Sequence, residues 1–482
     1  MVYWAKTIIL LMKKLLLLLF LLPASIIAQE EIITIPNIVQ NINQSFYVKD
    51  SKTGNLAIFL EDADQVHGIL YDSSFNKIGQ LSAPDLASKF QSFVGYQIMD
   101  EKIILFMNTE NDRSYGKLIY DFKNNTTESD EIEFKLKGEK LIKTASVRNS
   151  FFVFSIVKNS STLNLYEFKG DNPPERYELS FEDTAFKEYG NKPSNLYGLI
   201  TKSENFNVSV DAAEIEKNVP QSIDNTSKKV KFYNDENNVD ITIDANHENT
   251  YLININLITK EKSIKTIPQP ELAKSYVIPK SNSFLSEDKL YQLIANSDEL
   301  KFKITDINTQ SVLKAIDLEK NEDIYFKNTP IIQEGGAYDN YRELEKTSKF
   351  LRKLKNADIG LSVYNQNGNY EITFGSHTEI QQGGFMFYGN IGIAGAVFVG
   401  AMNGIWAAYY GYTRSKSVRI TGLFDKQYTH LDGEVPANAF DNIRTFSEEQ
   451  KRINAETIFK IDNDFYWGAY FKGEDTFKIF KF

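Results

Sequence analysis

The chain has 482 residues and no cysteine, so disulfide bonds, thiolate metal ligands and a cysteine nucleophile are excluded. Its formal charge of −10 is spread over interspersed acidic and basic residues, which argues against a nucleic-acid partner because such a partner requires a basic face. Apolar residues make up 42% of the chain, enough for a large buried core.

The first 28 residues have the pattern of a secretory signal. Met12-Lys13-Lys14 precedes the apolar run at 15–22, and the segment ends on small residues up to Ala28. We expect Met12 to be the biological start and the mature protein to begin near Gln29. A retained membrane anchor is the alternative, although the apolar run is shorter than the roughly 20 residues that a span requires. The expected location is the periplasm or outer-membrane surface of a Gram-negative bacterium.

Residues 45–84 form the first clean copy of a repeated unit. Four short runs rich in β-branched, aromatic and aliphatic residues, at 45–50, 55–62, 66–74 and 77–81, are separated by polar turns, which predicts a four-stranded meander. The second run contains five consecutive apolar residues, 56–60, without alternation, so we expect it to be buried on both faces. This is typical of a propeller blade.

The unit recurs to the end of the chain, at 93–136, 141–181, 229–268, 275–318, 358–431 and 455–482. The last copy has only three predicted strands, and we expect the isolated segment 32–39 to complete it and close the ring. Residues 29–482 are therefore predicted to form one all-β domain, a β-propeller of seven four-stranded blades. Six or eight blades, or two packed β-sandwiches, are the alternatives.

Two segments interrupt the repeat ahead of the sixth unit. Residues 185–227 are polar and are interpreted as an excursion between blades, with a short helix at 212–218. Residues 320–356 are predicted to carry a surface helix. Its apolar face combines five side chains at helical spacing: Tyr341, Leu344, Phe350, Leu351 and Leu354.

Three short motifs carry a resemblance to a known group. Phe350-Leu351-Arg352-Lys353-Leu354 leads into Gly360-Leu361-Ser362-Val363-Tyr364, and Leu423-Phe424-Asp425 follows a later insertion. Through these motifs the chain resembles secreted propeller-like proteins of the Bacteroidetes over most of its mature length. The resemblance implies propeller blades but brings no established activity.

A third insertion, residues 380–413, contains no charged residue over 34 positions. Small residues at every fourth position favour a helix that packs closely on another, whereas the alternation of small and β-branched residues fits a strand equally well. The flanking strands must pair in one blade, so the insertion must leave and return, which excludes a single membrane crossing. We expect contacts from six side chains: Phe387, Phe398, Ile405, Trp406, Tyr409 and Tyr410.

Three interpretations of this insertion remain open. It can fold over the propeller's own end or plug its channel, dock on a partner protein, or enter one membrane leaflet. Partner docking and leaflet insertion would each bury the aromatic side chains, which exposed to water would promote aggregation.

The sequence shows few residues suited to catalysis. It has no Gly-x-Ser-x-Gly motif, and the acidic turns at 61–64 and 234–238 do not form a full calcium loop. Of the four histidines, His377 and His430 are the two that could meet near the base of the insertion. We therefore predict no catalytic residue, no metal site and no cofactor.

The preferred function is a secreted, non-catalytic binding or scaffolding propeller that contacts a partner protein or a membrane through residues 380–413. The alternative is a glycosidase-like hydrolase whose acid and base are carboxylates from different blades at the channel mouth. A separation of about 5 to 10 Å between two such carboxylates would favour the hydrolase.

Overall fold

The computed structural model describes residues 29–36, 42–84, 86, 90–109, 114–170, 172–204, 207–273, 278–335, 341–378, 404–414 and 416–482. The predicted signal at 1–28 and residues 380–403 of the uncharged insertion lie outside this part of the chain. Among the described residues no helix combines the length and the apolar character that a bilayer crossing demands.

The described residues form seven sheets of four or five strands, arranged along the chain, and the strands of each sheet are antiparallel except for one parallel pair in the fourth. The first three each contain four sequential strands. Their bounds are β2 Gln44–Lys49, β3 Leu56–Glu61, β4 Gln65–Tyr71 and β5 Lys77–Pro84; β6 Phe90–Met99, β7 Lys102–Thr109, β8 Tyr115–Asp121 and β9 Thr126–Ile132; β10 Glu139–Val147, β11 Ser150–Val157, β12 Thr162–Phe168 and β13 Glu175–Ser180.

The fourth and fifth sheets follow a connection that contains two short hairpins and a helix. The hairpins are β14 Lys187–Glu188 with β15 Lys192–Pro193 and β16 Thr201–Glu204 with β17 Asn207–Val210, and the helix is α1 Leu196–Ile200. The sheet strands are β18 Ala212–Ile215, β19 Val230–Asn234, β20 Asn238–Ile243, β21 Asn249–Asn256 and β22 Lys262–Pro268; β23 Lys280–Ser286, β24 Lys289–Ala295, β25 Glu299–Asp306 and β26 Val312–Glu319. A one-turn helix, α2 Ile223–Thr226, lies between β18 and β19.

The sixth sheet has the spatial order β28-β27-β31-β30-β29. Its strands are β27 Ile331–Glu334, β28 Arg342–Leu344, β29 Asp358–Gln366, β30 Asn369–His377 and β31 Ser417–Phe424. The surface helix predicted at 320–356 is observed as α3 Thr347–Lys355, with Phe350, Leu351 and Leu354 buried. The prediction was wrong for Tyr341 and Leu344, because Leu344 belongs to a strand that pairs with β27 and Tyr341 is 58% exposed just before that strand.

The first and last strands of the described chain pair and close the ring, as predicted from the isolated N-terminal segment. The seventh sheet contains β32 Ile453–Ile461, β33 Asp464–Phe471 and β34 Thr476–Lys481, and β1 Glu30–Pro36 pairs antiparallel with β34. Helices α4 Gly404–Arg414 and α5 Ala439–Glu449 precede this sheet. Closure in this way leaves only short, protected edges.

The fold is a β-propeller, because each sheet turns one strand toward a common axis. The inner strands of neighbouring sheets contact one another, as β2 does with β32, β6 with β10 and β23 with β29. The second strand of a sheet is covered on both faces: residues 56–60 of β3 are all buried, whereas the outer strand β9 is largely exposed. The seven-blade count stays a prediction.

Aromatic side chains fill the spaces between neighbouring sheets. Phe106 of the second sheet stacks on Phe151 of the third, with ring centroids 4.3 Å apart, and Phe46 and Phe93 join the first sheet to the second at 4.7 Å. Burial of such rings removes a large apolar area from water, and their offset contacts add to that stabilisation. The continuous apolar runs of the sequence therefore supply the inter-blade core.

Candidate binding pocket at the mouth of the channel

The propeller's own chain occupies its central channel. We use the term channel segment for residues 212–226, which include β18 and α2. β18 pairs in parallel with β19, the inner strand of the fourth sheet, and so lies on its axial side. The sequence prediction of a helix at 212–218 was wrong, because Ala212–Ile215 is an extended strand that pairs with an inner strand and a turn follows at residues 217–218.

Contacts to other inner strands place the channel segment near the axis. Glu214 pairs with Lys143 of the third sheet, their Oε2 and Nζ atoms 2.5 Å apart, and Lys460 of the seventh sheet donates to the carbonyl of Asn218 at 2.8 Å. At the sixth sheet, α2 approaches Gly360 so closely that a Cβ atom there would lie 2.8 Å from the carbonyl oxygen of Ile223. A larger residue at 360 would push the channel segment away.

Residues 404–413 of the uncharged insertion form nearly all of helix α4, Gly404–Arg414, which we call the axial helix. Ile405, Trp406 and Tyr409 are at most 8% exposed. They lie in one apolar cluster with residues of the seventh sheet and of α5: Phe440, Ile443, Ile458, Phe465 and Trp467.

Polar contacts also join the axial helix to α5. Tyr409 and Ser447 share a hydrogen bond of 3.2 Å, and Tyr412 donates to Asp441 at 3.0 Å. Of the six predicted contact residues, Ile405, Trp406 and Tyr409 are therefore buried against the propeller, Tyr410 is half-buried, and Phe387 and Phe398 lie outside the described residues. Contact of this insertion with a partner or a membrane stays a prediction.

At one end of the filled channel a pocket of about 680 Å³ remains, which we call the mouth pocket. Its walls come from the C-terminal ends of the inner strands of the fourth to seventh sheets and from residues 215–218 of the channel segment. Because inner strands of different blades converge on the axis, residues far apart in sequence meet there. The volume falls within the range of sites for small organic ligands.

The pocket has a partly apolar floor and a polar rim. The floor contains Tyr233, Phe284, Val363, Tyr364 and Phe465, with Glu216 and Lys460 half-buried among them. The rim is exposed and carries Lys217, Asp235, Glu287, Asn367 and Asn463.

A tight turn forms one side of this rim. Asn365-Gln366-Asn367-Gly368 joins β29 to β30, and Asn367 and Gly368 both have positive φ, +55° and +88°. The Asn365 side chain accepts a hydrogen bond from the Gly368 amide at 3.0 Å, which fixes the turn. The turn therefore presents two amide side chains at the pocket.

Glu216 has an unusual electrostatic environment. Burial, together with the neighbouring charge of Glu214, raises the pKa of Glu216 to about 7, while Lys143 and Lys460 oppose the shift more weakly. The carboxylate also lies at the first residue of the axial helix, where a Cβ atom on Gly404 would come within 2.7 Å of Glu216 Oε1.

A second acidic group with a raised pKa lies behind the pocket wall. Glu371 of β30 is directly opposite Tyr364 in the sheet, and burial raises the pKa of its side chain to about 7. It is 6% exposed, and its Oε1 atom has no hydrogen-bond partner in the described part of the chain. The sequence did not single out Glu216 or Glu371, because nothing local shows which carboxylates become buried.

The histidines lie apart from this pocket. His377 Nε2 is 3.3 Å from Asp224 Oδ1 in α2, and His430 Nε2 is 2.9 Å from the side-chain oxygen of Asn328. The residues that the structure describes contain no group of three or more histidine, cysteine, aspartate or glutamate side chains spaced to hold a metal ion.

The chain is similar to known proteins in structure but not in sequence. No family model matches the chain, and no curated protein matches it. The chain is similar to a member of the DUF4221 family from Bacteroides vulgatus, with 9% identity, coverage of 91% of this chain and 98% of that one, and a TM-score of 0.32.

Two further similar structures belong to proteins of different kinds. The WD40 domain of SCAP from fission yeast matches with 9% identity, coverage of 94% of this chain and 95% of that one, and a TM-score of 0.29. A prolyl endopeptidase matches with 7% identity and a TM-score of 0.37, and the alignment covers 91% of this chain but only 50% of that one. These neighbours are β-propeller proteins, and the similarity concerns the fold alone.

Proposed function

We propose that this protein is an exported, non-catalytic binding propeller that takes a small polar ligand in the mouth pocket. The observation that carries the proposal is the combination of a channel filled by the protein's own segment with a pocket left open at one mouth. Its apolar floor and convergent amide and charged side chains are the features of small-molecule sites. Export is supported by the signal-like pattern at 1–28.

The test is to block the pocket without disturbing the ring. Ser286 ends β23 on the pocket wall and is half-buried, so Ser286→Trp places an indole in the cavity. Ser297→Trp is the matched control, because Ser297 lies in the turn between β24 and β25 of the same sheet, is also half-buried and does not line the pocket. Thermal-shift screening of sugars, amino acids, short peptides and nucleosides should find a compound that raises the Tm of the native protein and of Ser297→Trp. The same compound should leave the Tm of Ser286→Trp unchanged.

A compound that stabilises Ser286→Trp as much as the native protein would overturn the pocket assignment. Failure of every compound to stabilise the native protein would overturn the proposal as a whole.

A hydrolase is the second candidate function. The observation that favours it is the raised pKa of Glu216 and of Glu371. A carboxylic acid that is still protonated near neutral pH can serve as a general acid. Turnover of aryl glycosides by the native protein that is lost in Glu216→Gln would replace the binding proposal. Binding of a ligand without turnover would support the binding proposal.

We further propose that residues 380–403 contact a partner protein, since this stretch is uncharged and aromatic in a chain that is 24% charged. Replacement of 380–403 by a Gly-Ser linker that retains the axial helix should leave the Tm unchanged and abolish co-purification of a defined partner from the periplasm. Loss of sedimentation with membranes instead would identify a lipid contact and overturn the protein partner. Unchanged fractionation in both assays would overturn contact of either kind.

A further inference from the structure

Three carboxylates line the mouth pocket, and they differ in their partners. Asp235 pairs with Lys217, with its Oδ2 atom 2.7 Å from Nζ. Glu287 pairs with Lys289 at 3.5 Å. Glu216 has no ion pair or hydrogen bond to its carboxylate from any described residue, although it lies on the half-buried floor. The pocket therefore contains one acidic group whose charge is not matched by direct contact.

The lysines of the pocket are already engaged elsewhere. Lys217 is held by Asp235 at the exposed rim. Lys460 donates to the Asn218 carbonyl at 2.8 Å and lies over the ring of Phe465, 5.3 Å from its centroid. Neither ammonium group forms an ion pair with the Glu216 carboxylate, and Glu216 is one of the residues that line the free space of the pocket.

The groups that face Glu216 come from several elements. Glu214 on the same segment repels its charge, and Lys143 and Lys460 attract it. Tyr47 and Tyr96, from the inner strands of the first and second sheets, have raised pKa values, chiefly through burial and secondarily through the charge of Glu216. Residues 404–413 of the axial helix are uncharged. The balance leaves a desolvated carboxylate beside a repelling one, and a bound cation would relieve both unfavourable effects.

We propose that the mouth pocket binds its ligand through a primary ammonium group that pairs with Glu216. This inference rests on the proposed function and specifies the ligand's chemistry. The amide side chains of Asn365 and Asn367 and the ring of Tyr364 then face the rest of the ligand, whose body carries hydroxyl or carbonyl groups. An ammonium–carboxylate pair in a partly desolvated site is a charge-assisted hydrogen bond, stronger than a neutral one.

Two matched probe pairs test the ammonium group and distinguish its source. Glucosamine is compared with N-acetylglucosamine, and the Nα-acetylated peptide Gly-Lys-Gly, whose one amine is the lysine side chain, with its Nα,Nε-diacetyl form. In calorimetric titrations at pH 8, at least one amine should bind, and its acetylated partner should bind ~10-fold or more weakly, as expected for loss of a charged hydrogen bond. Equal affinity within both pairs would overturn the proposal.

Glu216→Gln should weaken the preferred amine ~10-fold or more and leave the affinity of its acetylated partner unchanged. Glu167→Gln is the matched control, because it removes a half-buried carboxylate that is paired with Lys260 at 2.9 Å and does not line the pocket, and it should change amine affinity less than ~3-fold. Equal effects of the two substitutions would overturn the role of Glu216. Circular dichroism and the Tm of each variant establish that it is folded.

The pH dependence provides an independent readout. Because the raised pKa leaves much of Glu216 protonated below pH 7, binding of the lysine peptide, whose ε-ammonium stays charged over this range, should weaken from pH 8 to pH 6 in the native protein and stay flat in Glu216→Gln. A pH-independent affinity in the native protein would contradict the pairing. If no amine binds but a neutral compound does, and Ser286→Trp abolishes binding of that compound, the ammonium inference fails and the binding function stands. If no compound binds, both the ammonium inference and the binding function fail.

Discussion

The first sheet, residues 44–84, and the channel segment, residues 212–226, are stabilised in different ways. The first sheet buries a continuous apolar strand between neighbouring blades, and its four strands follow the sequence order with short turns. The channel segment is held by contacts with inner strands that lie far away in sequence, such as Glu214 with Lys143 and Asn218 with Lys460. Repetition therefore builds the ring, whereas a unique, non-repeating segment fills its axis and shapes the pocket.

The largest effect is expected in the ring. Phe59 is completely buried in β3, stacks on Phe46 with ring centroids 5.2 Å apart and meets Tyr120 edge-on at 5.0 Å. Phe59→Ala should lower the free energy of unfolding by about 3–5 kcal/mol, because it leaves a cavity between two sheets. Ile78→Ala, on the exposed outer strand, is the control and should change it by less than about 0.5 kcal/mol. Similar losses in denaturant melts of both variants would contradict the inter-blade core.

The axial helix should show a comparable but smaller effect. Trp406→Ala removes an indole that is 8% exposed, its ring 5.8 Å from that of Tyr409, and should cost about 3 kcal/mol of unfolding free energy. Tyr410→Ala, in the same helix and half-buried, should cost less. If Trp406→Ala left chemical denaturation unchanged, the helix would not pack on the propeller as described.

The pH dependence of stability distinguishes the pocket floor from the ring. The folded-state pKa of Glu216 is raised to about 7 from an ordinary 4.5, so the folded protein holds more protons than the unfolded chain between these values. Stability should therefore fall as the pH rises through this window. Glu216→Gln should reduce that slope and raise the Tm at pH 8, with Glu371 responsible for part of the remaining slope.

The control for this titration is Asp72, an exposed turn residue whose pKa is lowered by hydrogen bonds from Asn76. Asp72→Asn should leave the slope between pH 5 and pH 8 unchanged. A native melt that is flat over this range would contradict the buried state of Glu216.

The smallest effect is expected at the surface of the ring. Lys123 and Glu101 form an ion pair of 2.9 Å in which both side chains are about 70% exposed. Solvent and salt screen such a pair, so Lys123→Ala should leave the Tm within the error of the measurement. A clear decrease in Tm would contradict this account, because it would show that exposed ion pairs of the outer turns contribute substantially to stability.

The regular part of the molecule was predictable, because blade strands obey local rules. Leu56 to Leu60 could only be a strand covered on both faces, and residues 32–39 had no local partner and so indicated ring closure. In the second unit the outer strand begins at Thr126, directly after a turn in which Asn125 has a positive φ.

The axis was not predictable from the same rules. Residues 212–218 form a short stretch of mixed polarity, and the extended form of Ala212–Ile215 depends on parallel pairing with Val230–Asn234, which no local pattern encodes. The pocket combines side chains from four blades, so its acidic and amide residues are scattered over some 250 positions of the sequence. Asn365-Gln366-Asn367-Gly368 has the composition of a turn and is a local signal of the pocket rim. The structure shows this turn, with positive φ at Asn367 and Gly368.

The central claim is that the axial helix and the channel segment lie against each other inside the ring. Gly411 approaches Ser222 closely enough that a Cβ atom at 411 would lie 3.3 Å from Ser222 Cβ, near the spacing that a disulfide requires. Because the chain has no cysteine, the double variant Ser222→Cys with Gly411→Cys contains a single possible pair. Ser222→Cys with Ser129→Cys, on the exposed strand β9, is the control.

Mild oxidation of the folded protein followed by thiol titration in denaturant, where the buried position 222 becomes accessible, measures this proximity directly. We predict that the 222/411 pair loses both free thiols and forms one intramolecular disulfide, while the 222/129 pair keeps both. Two free thiols in the oxidised, folded 222/411 variant would contradict the filled channel.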